Sequence, residues 1–237
     1  MRFDVVTLFE ELFKPFMNLG VNRRAFELGR VELRFWNPRD YAQGAYKRVD
    51  DRPFGGGPGM VMLAEPLAQC VQAIQDERVS LGQSQAPVIL FSPVGERISH
   101  AQVQGLSQAP EGAILICGRY EGLDQRFIDQ FVNRQLSLGD FVLSGGEVAC
   151  LALIDAVSRL QPDVLNDQQS HEMDSFHPNL GGLLDCPHYT RPEVWREMAV
   201  PPVLLSGNHQ KIEEWRAHQR LELTRQNRPD LLPPSSK

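Results

Sequence analysis

The sequence lacks any long hydrophobic run. Its apolar stretches stay well below the roughly 18–20 consecutive residues that a membrane-spanning helix needs. The segment Met1–Phe9 is too short and too acidic for a secretory signal peptide, and its apolar residues are typical of a first β-strand. We therefore expect no membrane association and a cytoplasmic location.

Cysteine is scarce and shows no pairing pattern. The sequence has four cysteines, Cys70, Cys117, Cys150 and Cys186. They form no C-x-x-C pair and no disulfide framework, so reduced thiols buried in the interior are expected. An alternative is a zinc site with the candidate ligands Cys186, His171, His177 and His188. Its spacing fits no common zinc-finger pattern.

An excess of positive charge is also absent. The net charge is −6 and the isoelectric point is about 5.5, which argues weakly against nucleic-acid binding. Basic residues are nevertheless clustered near both ends of the chain: Arg23, Arg24, Arg30, Arg34, Arg39, Lys47, Arg48 and Arg52, then Lys211, Arg216, Arg220, Arg225 and Arg228. Each cluster is either a solvated surface or a face that contacts phosphates, and composition leaves both interpretations open.

The common nucleotide-binding motifs are missing. Gly55–Met60 reads Gly-Gly-Gly-Pro-Gly-Met, without the Gly-Lys-Ser/Thr ending of a P-loop or the strand and helix of a dinucleotide fold. ATP hydrolysis and NAD binding are therefore poorly supported. One interpretation is a tight turn made of glycines. The other is a turn that contacts a base edge and a phosphate, because Asp50, Asp51 and Arg52 precede it.

Two glycine-bounded turns are the most informative positive feature. The apolar run Ala113–Cys117 ends at Gly118, and an arginine, a tyrosine, a glutamate and a second glycine follow. Further along, Ser137–Glu147 again has glycines on both sides of a short apolar run. In α/β proteins ligands bind beyond the carboxyl ends of strands, where glycines allow close approach to the backbone. The pattern predicts one small-molecule pocket made from two loops.

Apolar runs alternate with helix-like stretches, which predicts an α/β fold with a mainly parallel sheet and flanking helices. The predicted strands are Asp4–Leu8, Val31–Trp36, Pro87–Phe91, Ala113–Cys117 and Asp140–Leu143. The predicted helices are Glu10–Asn18, Glu65–Arg78, Asp124–Val132 and Glu147–Leu160. The last of these has a broad apolar face, which is typical of a helix that packs on a sheet.

The stretch 161–187 changes character, because it is polar and rich in Asp, Gln, Ser, Gly and Pro. A loop of this length is usually functional or a linker. We therefore predict an α/β domain at 1–160, an interdomain catalytic loop at 161–187 and a small helical domain at 188–237.

Within the C-terminal region, Val194–Met198 is expected to form a turn of helix and Pro201–Gly207 a short extended piece. Asn208 is expected to cap a helix that runs to about Arg225, because asparagine accepts hydrogen bonds from the first helical N–H groups.

Eight segments occur in the order found in one family: Val49–Met60, Ser92–Pro93, Cys117–Asp124, Ser137–Glu147, Leu153–Arg159, Asp174–Phe176, Gly182–Pro192 and Val200–His209. Together they resemble the bacterial tRNA (guanine-N1)-methyltransferases of the SPOUT class, which methylate guanine 37, the base 3′ of the anticodon. The likeness spans nearly the whole chain. A related knotted methyltransferase that acts on rRNA or another tRNA position is an alternative, as is a nucleotide-binding regulatory protein without catalysis.

The resemblance implies an α/β domain with a deep trefoil knot, an exception to the usual rule of unknotted chains. It also implies a homodimer with shared active sites and S-adenosylmethionine bound in the knot. By matching position, the cofactor contacts would be Pro93, Gly118, Tyr120, Glu121, Gly122, Leu138, Gly139, Asp140, Phe141, Val142, Leu143, Gly145 and Gly146.

The resemblance further implies that Asp174 is the general base and that Arg159 stabilises the charge that develops on O6 of guanine. Asp174 would come from one subunit, and Arg159 with the cofactor from the other. The substrate would be the tRNA anticodon stem-loop, with contacts from Asp50, Arg52 and Ser175. The family's magnesium dependence suggests a Mg²⁺ ion near Glu121, although no metal site is assigned.

Two departures from the family pattern stand out. Tyr46 occupies a position where the family commonly has histidine, so a contact to the target guanine or its neighbour is expected to differ. The segment His177–Leu180 resembles a small insertion in the catalytic loop, and we expect it to change loop ordering or tRNA contacts.

Overall fold

The computed structural model describes residues 1–166 and 169–233. The chain divides into two compact units, Met1–Asn166 and Asp167–Lys237. This division lies near the domain boundary predicted at residue 160. Among the described residues there is no second division near the boundary predicted at residue 187. Two residues of the predicted loop, 167 and 168, lie outside the described residues.

The first unit alternates strands and helices. Its strands are β1 (Arg2–Val6), β2 (Glu32–Trp36), β3 (Asp50–Asp51), β4 (Val61–Met62), β5 (Val88–Arg97), β6 (Ala113–Ile116) and β7 (Arg134–Ser137). Its helices are α1 (Phe13–Asn18), α2 (Asn22–Glu27), α3 (Ala64–Ser80), α4 (His100–Ser107), α5 (Gln125–Phe131) and α6 (Glu147–Ser158). Short 3-10 helices are formed by Glu10–Leu12 and Pro38–Tyr41.

Five strands form one sheet in the order β2-β1-β6-β5-β7, and every pair is parallel. The predicted α/β class with a mainly parallel sheet is therefore confirmed. Every residue of β1 and β6 is buried, as expected for central parallel strands that are covered on both faces.

The side chains of the sheet alternate between two hydrophobic clusters, because successive residues of a strand point to opposite faces. Phe3, Val5 and Leu115 pack in a cluster that includes residues of α1, α2, α4 and α6. Val6 and Ile116 pack in a second cluster with residues of α3 and α5. Helices thus cover both faces of the sheet.

One charged side chain points into the interior beside the second cluster. Asp4 is completely buried, and it accepts hydrogen bonds from Arg78 Nε at 2.7 Å, Trp36 Nε1 at 2.9 Å and Arg2 Nε at 3.0 Å. A buried charge is tolerated when it is paired and hydrogen-bonded. Asp4 therefore ties β1 to β2 and α3.

The predicted strand Asp140–Leu143 is wrong. The position next to β5 is taken by β7, which precedes this run in the chain. Phe141 and Val142 are instead 55% and 82% exposed in a loop. Periodicity alone does not distinguish an apolar loop that lines a cavity from an apolar strand.

The second unit is built from short elements. They are α7 (Gln169–Glu172), β8 (Val194–Trp195), β9 (Met198–Ala199), α8 (Pro202–Leu205) and α9 (His209–Asn227), with 3-10 helices at Pro178–Leu180 and Pro229–Leu231. Asn208 caps α9 by accepting a hydrogen bond from the Lys211 N–H at 3.1 Å, so this predicted cap is confirmed.

Two local predictions in this unit are wrong. Val194–Met198 forms the hairpin β8-β9 instead of a helical turn, because Arg196 and Glu197 both have positive φ, as a two-residue hairpin turn requires. The expected extended piece Pro201–Gly207 contains α8, which has Pro202 at its first position, where proline favours the start of a helix.

All four cysteines are buried and unpaired, as predicted. Across residues 1–166 and 169–233, no helix combines the length and the apolar character that crossing a membrane would take.

Candidate active site

A cavity of about 380 Å³ lies in the first unit, beyond the carboxyl ends of β6 and β7. This is the edge of a parallel sheet at which α/β proteins bind ligands. Three segments supply most of its wall: the residues that follow β6, the residues that follow β7, and the middle of β5. The two predicted glycine loops therefore do share one cavity.

The loop after β6 is held by backbone hydrogen bonds. Glu121 N–H donates to Met60 O at 3.0 Å, and Met62 N–H donates to Gly122 O at 2.9 Å. Tyr120 and Gly122 both have positive φ, so the chain turns sharply at the cavity wall. The loop is thus attached to the end of the multi-glycine turn.

The loop after β7 packs directly against the first loop. Gly146 N–H donates to Gly118 O at 2.9 Å, and Gly145 forms an antiparallel bridge with Arg119. A Cβ on Gly146 would lie 2.8 Å from Cys117 Cα, which is closer than real Cβ atoms come. Glycine at this position therefore allows the two loops to meet.

The third wall segment is a bulge in β5. Phe91 and Glu96 both pair with Leu136 of β7, so the residues between them leave the ladder. Pro93 and Val94, which lie in this bulge, line the cavity. β5 and β7 approach so closely here that a Cβ on Gly95 would lie 2.5 Å from the Gln135 backbone.

Among the predicted cofactor contacts, all except Gly139 and Asp140 line this cavity. Gly139 instead forms a tight turn with Ser137, whose Oγ donates to Gly139 O at 3.0 Å. The carboxylate of Asp140 is exposed and lies 3.5 Å from Arg97. These two residues belong to the loop after β7 but do not line the cavity.

Several lining residues were not predicted as cofactor contacts from the sequence, among them Arg119, Gln135, Ser137 and Ser144. Gln135 was missed because β7 has no strong apolar alternation. Arg119 could have been predicted to line the cavity, because it directly follows Gly118, the glycine at which the apolar run of β6 ends. Its guanidinium lies 4.4 Å from the centre of the Phe9 ring and pairs with the carboxylate of Glu147 at 2.9 Å.

The lining offers backbone groups, apolar side chains, polar side chains such as Gln135 and Ser144, the guanidinium of Arg119, which is paired with Glu147, and the exposed carboxylate of Glu121. Such a mixture suits a nucleoside-like ligand that carries a positive charge. Cys117 directly precedes Gly118 and is buried, and this burial raises the pKa of its thiol well above the usual range. A thiolate nucleophile at this position is therefore disfavoured.

The predicted tRNA contacts Asp50 and Arg52 flank the same region. Asp50 pairs with Met62 in the β3-β4 ladder, and Arg52 is exposed at the start of the multi-glycine turn. A Cβ on Gly59 would lie 2.3 Å from Glu121 Oε1. The multi-glycine turn therefore ends next to Glu121, so the turn and the loop after β6 are neighbours in space.

Arg159 directly follows α6 as its C-terminal cap, with its N–H donating to Asp155 O at 3.1 Å. Its side chain is half-buried.

Several basic residues in the first quarter of the chain pair with carboxylates: Arg30 with Asp163, Arg34 with Glu32 and Glu77, and Lys47 with Asp40. For these residues the ion pairs favour the solvated-surface interpretation. Tyr46 is 90% exposed.

Asp174 and Ser175 lie in the second unit, and both are half-buried. Ser175 Oγ accepts a hydrogen bond from Asp185 N–H at 2.9 Å, and Asp174 O accepts one from His177 N–H at 3.2 Å. Phe176 has a φ of 72°, so the chain turns immediately after them. The apparent insertion His177–Leu180 forms a 3-10 turn with a buried His177.

The second unit also contains a smaller cavity of about 220 Å³, lined by Tyr189, Trp215 and Arg216 among others. Nearby, Asp185, Cys186 and His188 are the one group of three possible metal ligands that meet within 4.8 Å in the described parts of the chain. Arg220 lies 3.7 Å from the Asp185 carboxylate and disfavours a cation there. The group does not include Glu121.

A family model described as tRNA (Guanine-1)-methyltransferase TrmD matches residues 1–234. Three relatives named tRNA (guanine-N(1)-)-methyltransferase match 232 residues each, or 98% of this chain. The protein from Polaromonas sp. is 64% identical with 89% of its length covered, that from Paracidovorax citrulli 62% with 91%, and that from Albidiferax ferrireducens 65% with 92%. The chain therefore belongs to the tRNA (guanine-1)-methyltransferase family and is a methyltransferase enzyme.

Proposed function

We propose that this protein transfers a methyl group from S-adenosylmethionine to N1 of guanine 37 in tRNA. The observation that carries the proposal is the cavity beyond β6 and β7, whose wall contains most of the residues that the family resemblance assigns to the cofactor. A tRNA substrate would place the protein in the cytoplasm.

The cavity fits S-adenosylmethionine in size and chemistry. Its volume of about 380 Å³ falls within the range typical of small-molecule sites. Gly118, Gly145 and Gly146 bring the backbone to the wall, where N–H and C=O groups can hydrogen-bond an adenine and a ribose. The carboxylate of Glu121 can balance a positive charge. When bound, the cofactor supplies a methyl group on a cationic sulfur.

The acceptor nitrogen requires a base and an electrostatic partner. N1 of guanine carries a proton, and its loss spreads negative charge onto O6. Asp174 would accept the proton, and the guanidinium of Arg159 would stabilise the charge on O6. Asp50, Arg52 and Ser175 would contact the tRNA around the target base.

The target guanine must leave the stacked bases of the anticodon loop before its N1 can be methylated. The turn at Asp174–Phe176, with its positive φ at Phe176, can present the carboxylate to such a base and help to exclude water. Among the described residues, no group of three possible ligands converges on Glu121.

The proposal includes the trefoil knot and the homodimer that the resemblance implies. Each active site would combine Asp174 of one subunit with Arg159 and the cofactor of the other. Mixing an inactive Asp174→Ala protein with an inactive Arg159→Ala protein tests this arrangement. Restored methyl transfer after subunit exchange is expected, since a mixed dimer contains one site with both residues. Activity that stays absent in proven mixed dimers contradicts shared sites.

The substrate is tested by transfer of a labelled methyl group to paired tRNA transcripts. One transcript carries guanine immediately 3′ of the anticodon, and the other carries adenine. Methylation of the first alone is expected. Labelling of both keeps the methyltransferase but removes the proposed position, and labelling of neither, with the cofactor still bound, points to rRNA or another target.

The general base is tested by Asp174→Asn, with Glu172→Gln as a matched control on an exposed carboxylate of the same segment. We expect Asp174→Asn to lower the rate of methyl transfer by about 10²–10⁴-fold, because general bases typically contribute that much. Cofactor affinity should stay unchanged in both variants. A rate close to wild type in Asp174→Asn removes this residue from the mechanism.

A further inference from the structure

A buried carboxylate joins three separate segments behind the cavity. Glu147, the first residue of α6, is only 1% exposed. Thr7 Oγ1, just after β1, donates to Glu147 Oε1 at 2.9 Å. Arg119 Nε donates to the same oxygen at 3.1 Å, and Arg119 Nη2 lies 2.9 Å from Oε2. A carboxylate in this environment is held in one position, because leaving it unpaired while buried is costly.

Arg119 carries this constraint to the cavity wall. Its side chain lines the cavity, and Nη1 donates to Ser144 O in the second glycine loop at 3.2 Å. A Cβ on Gly145 would lie 2.3 Å from Arg119 Nε, so that loop lies directly against the guanidinium. The ring of Phe9, which follows β1 in the chain, packs against the same guanidinium. One side chain therefore contacts both loops.

Thr7 is itself fixed by the backbone. Its Oγ1 accepts a hydrogen bond from Phe9 N–H at 3.0 Å while it donates to Glu147, and Thr7 is 3% exposed. Neither Thr7 nor Glu147 is among the residues that line the described cavity. Any influence of these two residues on a ligand must therefore pass through Arg119 and the glycine loops.

We propose that Glu147 and Thr7 are positioning residues, which hold Arg119 and with it both glycine loops in the geometry that binds S-adenosylmethionine. This inference rests on the proposed function, because it takes the cavity as the cofactor site. It concerns residues that neither contact the cofactor nor act on the tRNA.

Two substitutions separate this role from simple packing. Glu147→Gln keeps the size of the side chain but turns an N–H group toward the guanidinium, and Thr7→Val removes only the hydroxyl. We expect Glu147→Gln to weaken S-adenosylmethionine binding about tenfold and Thr7→Val about fivefold, as lost charged and neutral hydrogen bonds do. The KM for the cofactor should rise in both variants more than kcat falls.

The experiment is calorimetric titration of each full-length protein with S-adenosylmethionine, combined with the unfolding midpoint of each ligand-free protein. Trp36→Phe is the matched control, because it removes one hydrogen bond to the buried Asp4 of the same unit. The control is expected to lower the unfolding midpoint while the Kd for the cofactor stays at the wild-type value. If Glu147→Gln does not fold, Thr7→Val alone carries the test.

Weaker binding in folded Glu147→Gln or Thr7→Val, with unchanged binding in Trp36→Phe, supports the inference. Wild-type affinity in both folded variants overturns it, even where their unfolding midpoints fall. A wild-type protein that binds no S-adenosylmethionine overturns the proposed cofactor first, and the inference with it. The two failures are therefore distinguishable.

Discussion

The two units are stabilised by different kinds of contact. The first unit has an apolar cluster on each face of its sheet, and its cavity lies at the edge of this rigid framework. In the described part of the second unit, the buried apolar side chains are Leu180, Cys186 and Leu232. There, polar contacts such as Leu184 N–H to Thr224 Oγ1 at 3.0 Å hold the chain in place.

This difference has a functional consequence. Apolar burial contributes most of the stability of a fold, so the first unit is expected to be preorganised for its ligand. Regions with few buried apolar contacts open locally at lower free energy. The segment with Asp174 belongs to such a region, which suits a proposed base that acts only when a nucleotide is in place.

The largest expected effect comes from the buried charge of the first unit. Asp4→Asn should lower the free energy of unfolding of this unit by about 3–5 kcal/mol, because the buried guanidinium of Arg78 would lose its carboxylate partner while Arg2 kept only its ion pair with Glu77. Denaturant titration measures the change, and Asp129→Asn on the exposed surface of α5 serves as the control. A loss no larger than that of the control contradicts a buried ionic network.

The next effect tests how closely the glycine loops are packed. Gly146→Ala should destabilise the first unit by about 1–3 kcal/mol, because its methyl group would overlap the Cys117 backbone. S-adenosylmethionine affinity should fall with it. The control is Gly105→Ala in α4, where a Cβ meets nothing within 4 Å and should stabilise the helix slightly. Equal behaviour of the two variants would falsify the close approach.

A smaller effect is expected in the second unit. Thr224→Val removes the hydroxyl that accepts the Leu184 N–H, so a half-buried donor loses its partner. We expect a loss of about 1–2 kcal/mol in this unit's free energy of unfolding. Thr224→Ser keeps the hydroxyl and should retain most of the stability. Fluorescence of Trp195 and Trp215 can monitor the unit, and an unchanged transition in Thr224→Val counts against polar stabilisation.

The smallest effect is a dependence on pH in the same unit. Burial raises the pKa of Asp185, but hydrogen bonds from Cys186 N–H and from His188 outweigh it, so its pKa is lowered. A lowered folded pKa means that the carboxylate stabilises the fold above its unfolded pKa of about 3.9 and that this contribution is lost as the pH falls through the folded value. Asp185→Asn should give a flatter stability profile between neutral pH and about pH 3. An unchanged slope rules out this contribution.

The predictable parts of the molecule were those with short-range signals. The apolar face of Glu147–Leu160 predicted α6, and Asn208 marked the start of α9, because caps and helical periodicity involve neighbours in the chain. The loop Phe141–Leu143 was misassigned because its apolar side chains face a cavity, a destination that periodicity does not reveal. That Gly139 and Asp140 do not line the cavity, and instead contact Ser137 and Arg97, was visible only in the tertiary structure.

By itself the sequence determined the α/β class, the two glycine loops and the family to which the chain belongs, since each depends on residue types at fixed spacing. Only the tertiary structure decided the strand order, the bulge in β5 and the contact of Thr7 with Glu147 across 140 positions of the chain. Such contacts depend on which strands become neighbours when the sheet forms and helices cover its apolar faces. That is a property of the whole chain rather than of any local segment.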